Sequence, residues 1–435
     1  MEKNNFRKIA TITLFESAVQ WYCFLLYGTA AGTVFHKVFF SQTGNGTTAL
    51  ILSYMSFAIG YIAGPFGAVF FGHIGDRKGR KVTMYASLLM MGISTSIIGI
   101  LPPAASAGVG VVIVLQLMRL AQCFGRGGTW GGGILMAYEN VPENKRSFYA
   151  AIPQIGLPIG FGLSSILIAV PTLLLPEDIF FTWGWRIPFL AAIILTVIVI
   201  RQKGEMMETE DYKKAQAKLE AEEAEGKKHK VGFIPMVKGY WKTLLLGCGT
   251  RWVDGTFYNI FIVWILSYCI NWLGMPLIQT YIITIIACIF KIPFTLFGGW
   301  CAQKLGNTRT FVIGALASAV LSIPTLKVIE LSKGNLAITI IGIGLGWSIA
   351  YNLIWAVISS LWSSYFETEV RYSGISFVYH VPSFLVAGMV PTICTLLINY
   401  GKGDTIYVGI YSTVVALISA ACALALKARH DRGEK

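Results

Sequence analysis

The chain has 435 residues, of which 55% are hydrophobic and 13% charged, with a formal net charge of +13. That composition excludes a soluble globule of ordinary make-up. The basic balance would suit nucleic acid only if the cations formed one soluble patch, and they do not.

A bilayer crossing needs about 20 apolar residues. Twelve such spans are predicted, at roughly 12–35, 50–71, 82–101, 110–138, 148–172, 186–202, 243–270, 277–302, 310–327, 336–362, 372–399 and 406–426. The first run is long and is followed by others, so it is predicted to be a span rather than a cleaved signal. With both termini cytoplasmic, most of the 35 Lys and Arg fall on cytoplasmic segments. That is the positive-inside rule, and it accounts for the charge without any nucleic acid.

Within the first span, Glu16 lies four residues before Gln20, hence on the same helix face. Tyr22 and Cys23 follow. Between the second and third spans stands Gly72-His-Ile-Gly-Asp76-Arg77-Lys-Gly79-Arg80-Lys81, a tight, basic, glycine-punctuated link. Two spans joined this closely must be antiparallel, and the cations set the link on the cytoplasmic side. The fourth span carries Arg119, Gln122, Arg126 and the run Gly127-Gly-Thr129-Trp130-Gly-Gly-Gly133. That run lacks the lysine of a phosphate loop, and its small residues are expected to permit close helix packing. Glu139 ends the fourth span. An acid at a helix C-terminus needs a cation, and Arg80 or Arg77 is the expected partner.

Residues 203–242 are rich in Ala, Glu and Lys and are predicted to form a cytoplasmic linker between residues 1–202 and 243–435. An internal repeat supports this division. Gly72, Asp76, Arg77, Gly79 and Arg80 recur at one constant displacement as Gly299, Gln303, Lys304, Gly306 and Asn307, without the carboxylate. In the second half Arg251 and Asp254 are three apart in the seventh span, with Tyr258 one turn on. Lys291 precedes Pro293 in the eighth span, Asn352 lies in the tenth, and Tyr379 and His380 in the eleventh.

Ionisable side chains inside a membrane are costly and face a cavity or a partner. For Arg126 the alternatives are carboxylate binding, an ion pair with Glu16, or snorkelling. Arg251 and Asp254 form either a self-neutralised pair or part of a site. Lys291 is a second anion contact, a gate, or a lysine deprotonated by burial. Tyr22, Trp130, Tyr258, Asn352, Tyr379 and His380 offer polar handles at comparable depth, or are packing. The eight cysteines show no metal spacing and are expected to be buried free thiols. Neither a metal nor a cofactor is expected. The sequence has no Ser/His/Asp, HExxH or paired-acid arrangement, so enzymatic chemistry is not expected either.

The 72–81 link resembles the signature loop of the major facilitator superfamily of secondary transporters. Further stretches resemble its metabolite:proton symporter branch, whose members carry organic acids, shikimate-like acids, proline and betaines. These are Gln20-Trp-Tyr-Cys-Phe24 with Tyr27-Gly28; Arg119-Leu-Ala-Gln122 with the 127–132 run; Glu139, Pro142 and Arg146; Trp183-Gly-Trp-Arg-Ile-Pro-Phe189; and Val370-Arg371-Tyr-Ser-Gly374. The resemblance implies an all-α membrane protein of twelve transmembrane helices in two pseudo-symmetric six-helix halves. It also implies a cytoplasmic latch of Gly72, Asp76, Arg77, Gly79, Arg80, Glu139, Arg146 and Arg371, and a role for Arg119 in coupling or substrate binding.

Where the branch has acids, this chain has Gln20, Cys23 and Thr129, none of which cycles a proton near neutral pH. Glu16 is the expected replacement, with Asp254 and His380 as further candidates; a hydrated Glu16 at a helix end is the alternative. The expected function is alternating-access transport of a small organic anion, proton-linked, by a monomer in the cytoplasmic membrane. Expected substrate contacts are Gln20, Tyr22, Cys23, Arg119, Gln122, Arg126, Trp130, Arg251, Asp254, Tyr258, Lys291, Asn352, Tyr379 and His380. A zwitterion symporter and a transporter-like metabolite receptor are the alternatives.

Overall fold

The computed structural model describes residues 3–42, 45–78, 80–139, 146–202 and 233–434. The expected linker therefore lies largely outside the described residues, as does Gly79, and so do the side chains of Asp76, Arg77, Arg80, Trp130 and Glu139.

The described chain is helical, and ten of its helices are long and apolar enough to cross a membrane. The spans are α1 (Lys3–Thr33), α2 (Gly46–Lys78), α3 (Arg80–Ile100) and α4 (Val109–Glu139). They continue as α5 (Arg146–Leu174), α6 (Glu177–Arg201), α7 (Val237–Asn271), α8 (Leu277–Leu305), α9 (Asn307–Leu331) and α10 (Leu336–Tyr365). The eleventh, α11, is in two pieces, Thr368–His380 and Val390–Tyr400, and α12 is Ile406–Asp431.

Two spans depart from simple apolar helices for physical reasons. Helix α1 has the length of a span but carries Glu16, Gln20 and several threonines, which it turns inward. Helix α11, expected to be continuous over 372–399, is interrupted at Pro382, whose missing N–H breaks the hydrogen-bond ladder. A π-helical turn, Phe384–Gly388, follows. Comparable π turns interrupt α7 at Ile260–Trp264 and α10 at Gly344–Ala350. Such turns concentrate at functional sites because they re-aim side chains within an otherwise regular helix.

The 72–81 link is also tighter than expected. Helix α2 runs on to Lys78 and α3 begins at Arg80, so Asp76 and Arg77 sit in the last turn of α2 rather than in a loop.

With twelve antiparallel spans both chain termini lie at one end, here the terminal side; the other is the distal side. Helix α1 packs on α5, α2 on α4, and α4 on α3. In the second half α9 packs on α12, α7 on α12, and α8 on α10. Across the halves α5 meets α8, α2 meets α11, and α1 meets the π turn of α7.

Glycine sets the closest of these approaches. A Cβ on Gly127 would stand 2.4 Å from the Ala68 nitrogen, and one on Gly67 would stand 1.9 Å from the Phe124 carbonyl oxygen. Neither position tolerates a side chain without separating α2 from α4. The small-residue run of α4 thus packs helices, as expected, at Gly127.

On the distal side the sequence hid a polar clamp. The Lys327 ammonium meets Glu330 at 3.0 Å and Asp404 at 2.7 Å, while Glu330 accepts from the Thr405 amide at 2.9 Å. It fastens the end of α9 to the start of α12.

Substituting Gly127→Val should lower the melting temperature in detergent, by about 1–3 kcal/mol of overpacking. Gly110→Val on the same helix, where a Cβ meets nothing within 4 Å, should leave it near the parent value. Equal effects of the two would refute the close-approach argument.

Candidate functional site

The centre of the molecule is an aromatic box around Arg126. Trp21 and Phe24, three apart on α1, present adjacent rings. Trp21 meets Tyr258 of α7 and Trp355 of α10, with ring centres 5.6 and 5.4 Å apart. Phe24 meets Tyr61 of α2 edge-on at 5.4 Å.

Arg126 of α4 reaches into this box. Its Cζ lies 3.8 Å from the Phe24 ring centre and 4.7 Å from that of Trp21, and its Nη2 donates to the Tyr379 hydroxyl of α11. Its Nε has no partner, only 3% of the residue is exposed, and among the described residues it meets no carboxylate. The expected alternative of an ion pair with Glu16 is not what the structure has. Glu16 is buried on α1 within electrostatic range of Tyr85 of α3.

Arg251 pairs with Asp254 within α7, and its Cζ stands 4.4 Å from the Tyr379 ring centre. The other Asp254 oxygen accepts from the Tyr351 hydroxyl at 2.6 Å. Asp254 is therefore engaged on both oxygens. The ring of Tyr351 also lies 4.3 Å from the Lys291 ammonium, and that of Trp347, on the π turn of α10, lies 4.6 Å from it. Lys291 donates to Asn352 Oδ1 at 3.1 Å, and the Asn352 amide returns a bond to the Lys291 carbonyl at 2.8 Å. Among the described residues Arg251 is thus paired with Asp254, while Arg126 and Lys291 have no carboxylate partner.

Several donors here are unspent. Trp21 Nε1, the Tyr61 and Tyr258 hydroxyls, His380 Nε2, and the Nε atoms of Arg126 and Arg251 are buried without hydrogen-bond partners. Tyr61, Tyr258 and His380 all lie within electrostatic range of Arg126. A buried polar group left unsatisfied needs an explanation, and a polar solute is the simplest one when so many converge.

Other expected contacts are placed elsewhere. Arg119 is fully buried, boxed by Phe24, Tyr27 and Phe57 at 4.4–4.7 Å from its Cζ. It donates to Gln122 Oε1 and, at 3.4 Å, to the Phe57 carbonyl. Gln122 in turn donates to the Cys23 carbonyl at 2.9 Å and to Thr95 at 2.7 Å. These two residues fasten α1, α2, α3 and α4 together. Tyr22 gives its hydroxyl to the Pro188 carbonyl on α6, and the Cys23 thiol faces Thr95 and Thr196. Gln20 is buried with its Nε2 unpartnered, and Thr129 donates to the carbonyl of Arg126 on its own helix at 3.1 Å.

The box is closed on both sides. Distally, the Tyr54 hydroxyl donates to Ser267 at 2.7 Å, and Tyr281 to Thr33 at 3.2 Å. On the terminal side Gln154 and Trp355 exchange bonds: Nε2 to carbonyl at 3.2 Å and indole Nε1 to carbonyl at 3.0 Å. Beyond the Tyr54–Ser267 contact opens a distal cavity of about 600 Å³, lined by His36, Lys37, Asn45, Trp264, Tyr268 and Asn271 among others. Of the expected latch, Gly72, Asp76 and Arg77 lie on α2, Arg80 on α3 and Glu139 at the end of α4. Helix α11, which packs on α2, begins beside Arg371, whose Nε donates to the Ser363 carbonyl at 3.0 Å. Arg146 is half-buried at the start of α5.

Sequence reasoning missed Trp21, Tyr61, Trp347, Tyr351 and Trp355. A signal existed for three of them: Trp347, Tyr351 and Trp355 are spaced by four and form one helical stripe.

This geometry, a polar centre between two halves with closures above and below, is that of a secondary transporter. Residues 10–378 match the Major Facilitator Superfamily, and the chain belongs to it; it is a multi-pass membrane transporter, not an enzyme. It is 33% identical over 435 residues to the inner membrane metabolite transport protein YhjE of Escherichia coli, covering 98% of this chain and 96% of that one. It is 31% identical to the shikimate transporter of Escherichia coli, covering 97% and 94%. It is 27% identical to the proline/betaine transporter of Salmonella typhimurium, covering 99% and 85%. The fold resembles that of the partially occluded inward-open xylose transporter XylE from E. coli, with a TM-score of 0.74 at 14% identity over 97% of each chain.

Because Arg119 serves helix packing, Arg119→Met should destabilise the detergent-purified protein by about 2 kcal/mol or more. Ligand-induced stabilisation of the folded fraction should persist. Normal melting with lost ligand response would place Arg119 in the substrate site instead.

Proposed function

We propose that the chain is a secondary transporter that moves a small organic anion by alternating access, coupled to protons, across the inner membrane with both termini in the cytoplasm. The observation that carries this reading is Arg126, buried with no carboxylate among the described residues, where its Nε has no partner and the Tyr379 hydroxyl is its sole hydrogen-bond acceptor. A guanidinium in that position can take a carboxylate bidentately. Arg251 Nε and the hydroxyls of Tyr61 and Tyr258 complete a donor-rich surround. Similarity to a shikimate transporter, a carrier of a carboxylate, agrees with it.

A zwitterion is the second reading, favoured by the proline/betaine relatives and by the Trp21–Tyr258–Trp355 cluster, which could face a quaternary ammonium. Two facts weigh against it. Asp254 is engaged on both oxygens, and Arg126 already stands over Trp21.

A thermal-shift screen of the purified protein decides between them, using shikimate, succinate, lactate and benzoate against proline, glycine betaine and xylose. A ligand at about 100 times its Kd stabilises the folded state by about 2.7 kcal/mol. Carboxylates should stabilise the parent and fail to stabilise Arg126→Gln. Stabilisation by betaine or xylose alone, unchanged in Arg126→Gln, would defeat the anion reading.

The terminal-side link is assigned the role of latch in this reading. Asp76→Asn or Arg80→Ala should slow counterflow in proteoliposomes while changing Kd by less than about twofold, since neither group would touch solute. Lost affinity with normal turnover would argue against a latch.

A further inference from the structure

We propose that Lys291 is the group that takes up the coupled proton, so that anion and proton are bound at opposite ends of one buried network. This rests on the anion reading above and adds the identity of the proton site. The chain lacks the acids that its resemblance to metabolite:proton symporters implies, having Gln20, Cys23 and Thr129 instead. Two candidates named from the sequence are poorly placed or already engaged. Asp254 holds Arg251 and Tyr351 on its two oxygens. His380 packs edge-on to Tyr379 within range of Arg126 and Arg251, so a charge on it would be a third cation in the cluster.

Lys291 has the geometry of a switchable charge. It is 0% exposed at the middle of α8, and among the described residues its ammonium has one acceptor, Asn352 Oδ1, which is already shared with Thr295 at 3.0 Å. The rings of Trp347 and Tyr351 take up its remaining surroundings. A lysine buried without a carboxylate partner is costly when charged and inexpensive when neutral. The ring faces and the amide oxygen still make the charged form reachable. Among the described residues, the titratable or charged groups that face it are Cys288 one turn earlier on α8, Tyr351 of α10 and Asp254 of α7; α5 presents Gly162 and Phe161 beside Cys288 and Trp347.

The connection to the anion site is continuous. Tyr351 lies against the ammonium and donates to Asp254; Asp254 holds Arg251; Arg251 covers the Tyr379 ring; and the Tyr379 hydroxyl receives Arg126. In the empty site Arg126 and Arg251 outnumber Asp254, and this positive excess opposes a further proton on Lys291. A carboxylate bound at Arg126 cancels the excess and favours the ammonium. The proton comes from water, lone pair to N–H, and leaves when the anion does. By linkage, protonation must tighten anion binding by the same factor.

The test measures binding and proton uptake separately. Thermal shift and Kd for shikimate, succinate, lactate and benzoate are read from pH 5.5 to 8.5, and proton uptake on mixing is followed with an indicator dye in weak buffer. In the parent, bound carboxylate should take up close to one proton, with affinity falling about tenfold per pH unit where the empty site is neutral at Lys291. Lys291→Gln should still bind the carboxylate, with no proton uptake and a pH-independent Kd. In proteoliposomes it should keep counterflow and lose accumulation driven by a pH gradient. Asn352→Asp, which supplies a permanent counter-charge and keeps the lysine, should likewise abolish uptake; it guards against a glutamine variant that fails to fold.

Carboxylate binding to the parent without proton uptake overturns the Lys291 assignment and leaves the anion reading standing. So does full uptake in both variants, or uptake that is lost in Glu16→Gln and kept in Lys291→Gln. If none of the four carboxylates binds at any pH, the anion reading itself falls and takes this assignment with it.

Discussion

The interior of this protein is organised by the cost of placing cations in a membrane without anions to match them. Arg119, Arg126, Arg251 and Lys291 are all buried, and among the described residues only Arg251 is paired with a carboxylate, Asp254. Leaving such charge uncompensated in a low-dielectric interior costs several kcal/mol per ion. The chain offsets that cost with aromatic faces, amide oxygens and tyrosine hydroxyls, which stabilise a cation without cancelling it. Phe24, placed between Arg119 and Arg126, serves two guanidiniums at once. The outcome is a centre that is folded and closed yet still short of negative charge.

The four cations do not share one role, and their partners separate them. Arg119 finds two fixed acceptors and a closed ring box, so its contacts are complete without any solute. Arg126 is two helical turns further along the same face, where α4 also meets α11, and its contacts are incomplete. A seven-residue interval thus separates a guanidinium whose contacts are complete from one whose contacts are not. The difference lies in what the opposite half of the molecule brings to each position.

That is also where the sequence stopped being legible. The spans and the interior charges are local properties, visible in composition and spacing, and the structure has them. Interruptions were less visible: Pro382 ended the first piece of α11, but the π turns of α7 and α10 leave no comparable mark. Which neighbour each polar side chain meets depends on contacts hundreds of residues apart. Tyr22 looked like a handle for solute and instead holds α6 through Pro188. Tyr351 was passed over for its neighbour Asn352, although the four-residue spacing of Trp347, Tyr351 and Trp355 placed it on the inward stripe. Single-residue chemistry suggested where charge would lie, and only helix pairing could show which charges were already satisfied.

The π turns lie between the central box and the contacts on either side of it. Each of α7, α10 and α11 is interrupted beside the central box, and the interrupted pieces carry groups of both the site and its closures. In α7 the turn at Ile260–Trp264 separates Tyr258, in the box, from Ser267, in the distal closure with Tyr54. In α10 the turn at Gly344–Ala350 holds Trp347 against Lys291, while Trp355, two turns on, both packs on Trp21 and bonds Gln154 in the opposite closure. Tyr258 of the box thus shares α7 with Ser267 of the distal closure. The same interruptions that obscure the spans in the sequence thus stand between the box and the contacts on either side of it.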